Sequence, residues 1–118
     1  MGGYKVQGRD DNQARALLAD AKGVESAGAF SLILEGIPMA LAQEITNGIQ
    51  IPTMGIGAGP YCDGQILVLH DLLGLCTAYH PKFVRRYADL SAITEEAVRH
   101  FKSDVEKGKF PTAEEGYE

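Results

Sequence analysis

Two short apolar runs, 29–34 and 51–56, each come between segments of helical period, and this alternation constrains the fold more than any other feature. A run that is apolar without alternation reads as a parallel strand covered on both faces. Parallel neighbours need a long crossover between them, usually a helix. The pattern therefore predicts an α/β fold. It also predicts an incomplete one. Two or three such strands cannot cover both their faces and both their edges. The chain reads as a section of a larger α/β sheet or barrel.

Residues 10–28 read as the first helix. Asp10 or Asp11 can cap its start by accepting from free backbone N–H groups. Ala14, Leu17, Leu18, Ala21 and Val24 recur at three- and four-residue spacing and make one apolar stripe. Gly28 suits the stop. Ala29 to Leu34 is expected to be a buried strand, apolar on both faces and ending in Glu35. Pro38 suits a helix's first turn, and Met39, Leu41, Ala42 and Ile45 supply that helix's apolar face. Asn47-Gly48 ends it. The second strand, Ile51 to Ile56, closes on Gly55-Ile56-Gly57-Ala58-Gly59-Pro60. Ile66 to Leu69 is a third apolar segment, either a strand or the first turn of a buried helix. Residues 82–108 read as mostly helical, with Ile93, Ala97, Val98, Phe101 and Val105 on one face. The acidic tail from Phe110 to Glu118 is expected to cross the surface.

Several functional classes are excluded. The net charge is −5 and the pI is near 5.1. Nucleic-acid binding needs a basic face, so it is not expected. No stretch reaches the roughly 18 uninterrupted apolar residues of a spanning helix. The first residues lack the apolar core of a signal peptide. Two cysteines, Cys62 and Cys76, match no zinc or redox spacing. The expected setting is soluble, reducing and cytoplasmic. A length of 118 residues suits one domain.

Glu35 is the leading candidate for chemistry. It stands where an apolar strand ends and a loop begins, and functional groups of α/β folds gather at such ends. Apolar neighbours would suit a carboxylate to general-base work. The competing reading is a helix cap or a surface ion pair. The glycines of 55–59 let backbone approach a ligand or adopt positive φ. Pro60 stands where a dinucleotide fingerprint needs glycine, and no Gly-Lys-Ser/Thr follows. A tight strand-end turn is the alternative. His70-Asp71 could be an acid/base or metal pair, but adjacent residues point different ways. A structural role for His70 is favoured. Cys62 has no activating base nearby in sequence. Lys82, Arg85 and Arg86 read as a solvated helix face, and His80 and His100 have no clear partner.

Several ordered segments together resemble the ketopantoate hydroxymethyltransferase family. They begin with Gly2-Gly3-Tyr4-Lys5-Val6-Gln7-Gly8-Arg9 and Leu34-Glu35-Gly36-Ile37-Pro38. Ile51-Pro52-Thr53-Met54-Gly55-Ile56-Gly57-Ala58-Gly59-Pro60 and Cys62-Asp63-Gly64-Gln65-Ile66-Leu67-Val68 continue the series. His70-Asp71-Leu72-Leu73-Gly74, Pro81-Lys82-Phe83-Val84-Arg85-Arg86-Tyr87 and Gly108-Lys109-Phe110-Pro111 complete it. The resemblance implies a (β/α)8 TIM barrel, of which residues 1–118 would be the C-terminal section, incomplete as a closed barrel. It implies transfer of a hydroxymethyl group from 5,10-methylenetetrahydrofolate to 3-methyl-2-oxobutanoate (α-ketoisovalerate). The product is 2-dehydropantoate (ketopantoate), on the route to pantothenate and coenzyme A.

The resemblance also implies that Glu35 is the catalytic base and that Mg2+ holds the keto acid. The family's metal-binding aspartates have no counterpart in this sequence, so no metal ligand is assigned. A complete barrel takes about 250 residues. The implied partners are further copies of the chain or a missing N-terminal half. Two other readings stand beside this one. One is a non-catalytic remnant that folds only with a partner. The other is a different phosphoenolpyruvate/pyruvate-type barrel enzyme. The expected consequences are little activity in isolation and exposed strand edges or an open apolar face.

Overall fold

The structure, a computed structural model, describes residues 5–118. Gly2-Gly3-Tyr4 of the first matching segment lies outside the described residues. The fold is a mixture of helices and parallel strands, in the order α1 (Asp11–Ser26), β1 (Leu32–Glu35), α2 (Met39–Gly48), β2 (Thr53–Ile56), β3 (Gly64–Gln65), α3 (Leu69–Leu72) and α4 (Leu90–Glu106). It divides into two compact units. One comprises the described part of Met1–Leu67 with Lys82–Val84, and the other Val68–Pro81 with Arg85–Glu118.

The first unit is a three-stranded parallel sheet, β1-β2-β3, with two helices. Leu32, Ile33, Leu34 and Glu35 lie opposite Thr53, Met54, Gly55 and Ile56. Met54 and Gly55 lie opposite Gly64 and Gln65. Both helices form where expected. Asp10 caps α1 by accepting from the Gln13 N–H at 2.9 Å. Gly28, just beyond its end, has φ of 97°, a left-handed conformation that glycine adopts without Cβ strain. Ala21 of α1 and Leu41, Ala42 and Ile45 of α2 pack with Leu34, Ile37, Ile49 and Ala58 into the core. Burying each large aliphatic side chain contributes about 1.5–3 kcal/mol.

The pleat sends alternate residues to opposite faces. Leu34, Thr53 and Gly55 face the helices and are buried. Ile33, on the other face, is 58% exposed. The expectation of a strand buried on both faces is therefore corrected: β1 is covered on one side only. The described residues place no layer over the Ile33 side. Ile33 thus presents an uncovered apolar side chain among the described residues.

Two other expectations need correction. In the third apolar segment, Ile66 to Leu69, neither reading holds throughout. The strand stops at Gln65, the Ile66 N–H adds one more bond to the Gly55 carbonyl (2.8 Å), and Leu69 opens α3. Over 82–108 the helix begins only at Leu90. Asp89 caps it, accepting from the Ala92 N–H at 3.2 Å, and ends any helical reading of 82–88.

In the second unit, Tyr87 and Leu90 N–H groups donate to the Leu72 and Leu73 carbonyls at 2.8 and 2.9 Å. These bonds tie α3 to the start of α4. Gly74, with φ of 68°, fits beneath them: a Cβ there would lie 2.3 Å from the Ala88 carbonyl oxygen. The stripe Ile93, Val98, Phe101 and Val105 forms as expected on α4 and is exposed. Phe101 meets Phe110 edge to face at 5.5 Å. In the tail, Thr112 and Glu115 cap a short 3-10 turn. The Thr112 backbone N–H and hydroxyl both donate to the Glu115 carboxylate, at 2.6 and 2.8 Å. These bonds hold its pKa below the usual glutamate value, the backbone bond most strongly.

Two outcomes follow. A depressed folded-state pKa adds stability above the unfolded value, and that stability is lost as pH falls through the folded one. The Thr112 amide resonance should therefore titrate with a midpoint below the usual glutamate value. In Glu115→Gln the titration should vanish. The second outcome concerns Thr53, which is fully buried. Its hydroxyl donates to the Asp63 carboxylate (3.3 Å), accepts from the Asp63 N–H (3.2 Å) and lies 2.8 Å from the Thr46 hydroxyl. Thr53→Val should cost about 0.5–1.5 kcal/mol, because it removes the buried hydroxyl's bonds to exposed Asp63 and half-buried Thr46. Urea denaturation should show a lower midpoint with an unchanged slope.

Candidate functional site

Glu35 is the last residue of β1, at the carboxyl end of the parallel sheet. Alternation along β1 puts it on the same face as Ile33, opposite Ile56 of β2. It is exposed. The expected apolar enclosure is thus not provided by the described residues, which place no covering layer over that face.

The turn after Glu35 is closely determined. The Gly36 N–H donates to the Ile56 carbonyl at 2.9 Å, continuing the β1–β2 ladder by one bond. Gly36 has φ of 60°, which sends the chain away from the sheet toward Pro38 and α2. The Gly36 carbonyl accepts from the Gln7 N–H at 2.9 Å, so the segment leading into α1 lies beside the base of this turn. Gln7 and Glu35 line one cleft of about 300 Å3, with Leu17, Ala21, Val24 and Ile33 among its walls. The two structural alternatives for Glu35 are not seen. Helix α2 has no side-chain cap, and the ion pairs among the described residues lie on α4.

The glycine-rich segment after β2 is shaped by packing. Gly57 and Gly59 have φ of 64° and 78°. A Cβ on Gly57 would lie 2.8 Å from the Phe83 ring, and one on Gly59 would lie 2.3 Å from the Met39 Cβ. The Gln65 side chain donates to the Gly59 carbonyl at 2.9 Å and ties the loop to β3. The tight strand-end turn describes this segment; its small residues admit protein side chains.

The remaining candidates stay apart from Glu35's turn. Cys62 is half-buried and packs over Gly55, where a Cβ would lie 2.9 Å from its Sγ. His70 is exposed on α3, with Asp71 beside it, and their main-chain carbonyls accept from the Leu75 and Gly74 N–H groups. His80 and His100 are exposed. Arg86 donates to the Cys76 carbonyl at 2.7 Å, and Lys82, Arg85 and Arg86 are exposed. No group of three or more His, Cys, Asp or Glu side chains converges among the described residues. Mg2+ needs near-octahedral oxygen ligands, commonly one or two carboxylates completed by substrate and water.

Sequence reasoning missed the residues that hold these turns. Asp63 accepts from the Thr53 N–H at 2.8 Å. Glu25 of α1 accepts from the backbone N–H groups of Gln50 and Ile51, the latter at 3.0 Å, and so fixes the lead-in to β2. The signal for Asp63 is its place before Gly64 in a turn, where Asp side chains bond nearby backbone. Glu25 acts across 26 residues, and no local pattern marks it.

The fold defines the class: an α/β protein of helices and parallel strands, with a carboxylate, Glu35, at the carboxyl edge of its sheet. The family follows from comparison with known proteins. The family model for ketopantoate hydroxymethyltransferase matches residues 1–113. The chain belongs to this family. It is 62% identical over 112 residues to the 3-methyl-2-oxobutanoate hydroxymethyltransferase of Geotalea uraniireducens (strain Rf4), covering 95% of this chain and 42% of that protein. It is 60% identical over 117 residues to the enzyme of that name from Trichlorobacter lovleyi, covering 99% and 44%. The chain thus spans about two fifths of the length of the curated relatives it matches. Among the described residues, no helix is long and apolar enough to cross a membrane.

The geometry of the turn yields a prediction. Open space surrounds the position of a Gly36 Cβ, so only its positive φ penalises a side chain. Gly36→Ala should cost about 1–2 kcal/mol, and Gly36→Asn, which tolerates this conformation better, should cost less. Equal losses for the two variants in chemical denaturation would contradict this account of the turn.

Proposed function

We propose that this chain is the C-terminal section of a 3-methyl-2-oxobutanoate hydroxymethyltransferase, a (β/α)8 barrel enzyme, and that Glu35 is its general base. The observation that carries the reading is the position of Glu35. It ends β1 at the carboxyl edge of the sheet, is exposed, and is fixed by the Gly36–Ile56 and Gln7–Gly36 bonds. Family membership supplies the reaction class.

In this reading the Glu35 carboxylate takes the proton from the carbon beside the carbonyl of 3-methyl-2-oxobutanoate. The carbanion delocalises as an enolate, and its carbon attacks the one-carbon unit of 5,10-methylenetetrahydrofolate to give 2-dehydropantoate, as in pantothenate synthesis. A positioned base contributes about 10²–10⁴-fold to such a step. The carbon acid is weak, so the enolate charge also needs stabilising partners. Mg2+ belongs to this proposal by resemblance alone, and no step is derived through it. No cluster of three or more metal-ligating side chains forms among the described residues, so in this reading the isolated chain should enolise the keto acid slowly or not at all.

The test grafts this chain in place of the matching segment of the Geotalea uraniireducens relative. Loss of the β-proton signal of 3-methyl-2-oxobutanoate in D2O, followed by proton NMR with Mg2+ present, reports enolisation. The chimera should exchange the proton, and its Glu35→Gln form should do so at least about 100-fold more slowly. An unchanged rate in that variant would remove Glu35 from the role of base.

A further inference from the structure

We infer that Phe83 is a specificity residue of the Glu35 site: its ring forms a wall at the carboxyl edge of the sheet, beside Glu35, and packs against the branched alkyl group of the 2-oxo acid. The inference rests on the reaction proposed above and adds the residue that recognises the methyl groups.

Three observations carry it. First, the short segment Lys82–Val84 packs with the first unit, although it lies well beyond β3 in the chain. Val84 is buried and anchors it. Second, the Phe83 ring lies on Gly57: a Cβ there would meet three ring carbons at 2.8, 3.1 and 3.2 Å. Gly57 directly follows Ile56, which lies opposite Glu35 and whose carbonyl accepts from the Gly36 N–H at 2.9 Å. Neighbouring strands are about 4.8 Å apart and successive Cα atoms about 3.8 Å apart, so the Cα atoms of Gly57 and Glu35 lie within about 9 Å. A ring in contact with Gly57 thus stands beside the space that the Glu35 carboxylate reaches. Third, Phe83 is 40% exposed, so part of the ring is open at the strand end. It is a wall there and not a layer over the Ile33 face, which stays uncovered among the described residues.

The chemistry selects the ligand. In the proposed reaction Glu35 removes a proton from the carbon beside the carbonyl. In 3-methyl-2-oxobutanoate that same carbon carries both methyl groups. A base within hydrogen-bond reach of the proton therefore brings the methyl groups close to itself. An aromatic ring at the adjacent strand end offers them an apolar surface, and aromatic rings supply large contact areas of this kind.

The test uses the covalent chimera described above, with Mg2+ present. It compares 3-methyl-2-oxobutanoate with 2-oxobutanoate, which lacks one methyl group. For each variant, the ratio of proton-exchange efficiencies on the two acids is divided by that of the parent chimera, so their intrinsic acidities cancel. One methylene in an apolar pocket is worth about 10–200-fold in discrimination, and a single wall supplies part of it. Phe83→Ala should lower the preference for the branched acid at least about fivefold. Phe83→Leu restores an apolar wall and should keep the preference within about twofold. Calorimetry on the Glu35→Gln chimera reads the same preference as a ratio of affinities, without the base. Adding Phe83→Ala to that background should lower it by a similar factor.

Equal losses for both acids in Phe83→Ala would reduce the ring to packing on Gly57 and overturn the inference. An unchanged preference would do so too, as would a fall in Phe83→Leu as large as that in Phe83→Ala. A parent chimera that exchanges no proton, yet shows the Phe83-dependent affinity preference, would count against Glu35 as base and support the wall. The two proposals therefore fail separately.

Discussion

The parallel pairing of β1 with β2 is the interaction on which the first unit depends. It sets Leu34 beside Gly55 on the helix side and Glu35 beside Ile56 on the other. Parallel strands cannot be joined by a tight turn, so the pairing also requires α2 as a crossover. Burial of Leu41, Ala42 and Ile45 against the sheet holds that crossover down. The same pairing leaves an obligation unmet. One face and one edge of β1 are bare among the described residues, and parallel sheets are normally covered on both faces.

That imbalance explains why Glu35 is well placed and poorly enclosed. Its backbone is defined by the ladder and by the turn at Gly36. Its side chain projects from the uncovered face, next to an isoleucine that is largely exposed. Positioning a carboxylate and enclosing it are separate tasks. The described residues perform the first with main-chain hydrogen bonds and place no layer over that face. A metal site poses the same problem, since ligands must converge from more than one element.

The second unit shows a related division. Helix α4 has a clear apolar stripe, yet Ile93 and Val98 remain 60% exposed. Its surface ion pairs, such as Arg99 with Glu95 and Lys102 with Glu106, are exposed, and such pairs contribute little. The helix is therefore specified by its cap at Asp89 and by local propensity more than by burial in this chain.

Local chemistry made much of this legible from sequence. Asp10 as a cap, the three-and-four spacing of Leu17, Ala21 and Val24, and Pro38 before α2 act over a few residues, so the sequence alone determined α1, α2 and the strand that follows each of them. The ordered motifs also determined the family, and they singled out Glu35. Which face of β1 would be covered depended on what packs there, and only the tertiary structure decided it. It alone showed that β3 ends at Gln65 and that Glu25 reaches 26 residues forward to hold β2. It also turned the glycines of 55–59 from a possible ligand cradle into space for Phe83, Met39 and Cys62. The physical reason is range: caps and periodicity are written in neighbouring residues, whereas enclosure and close packing depend on what distant segments bring.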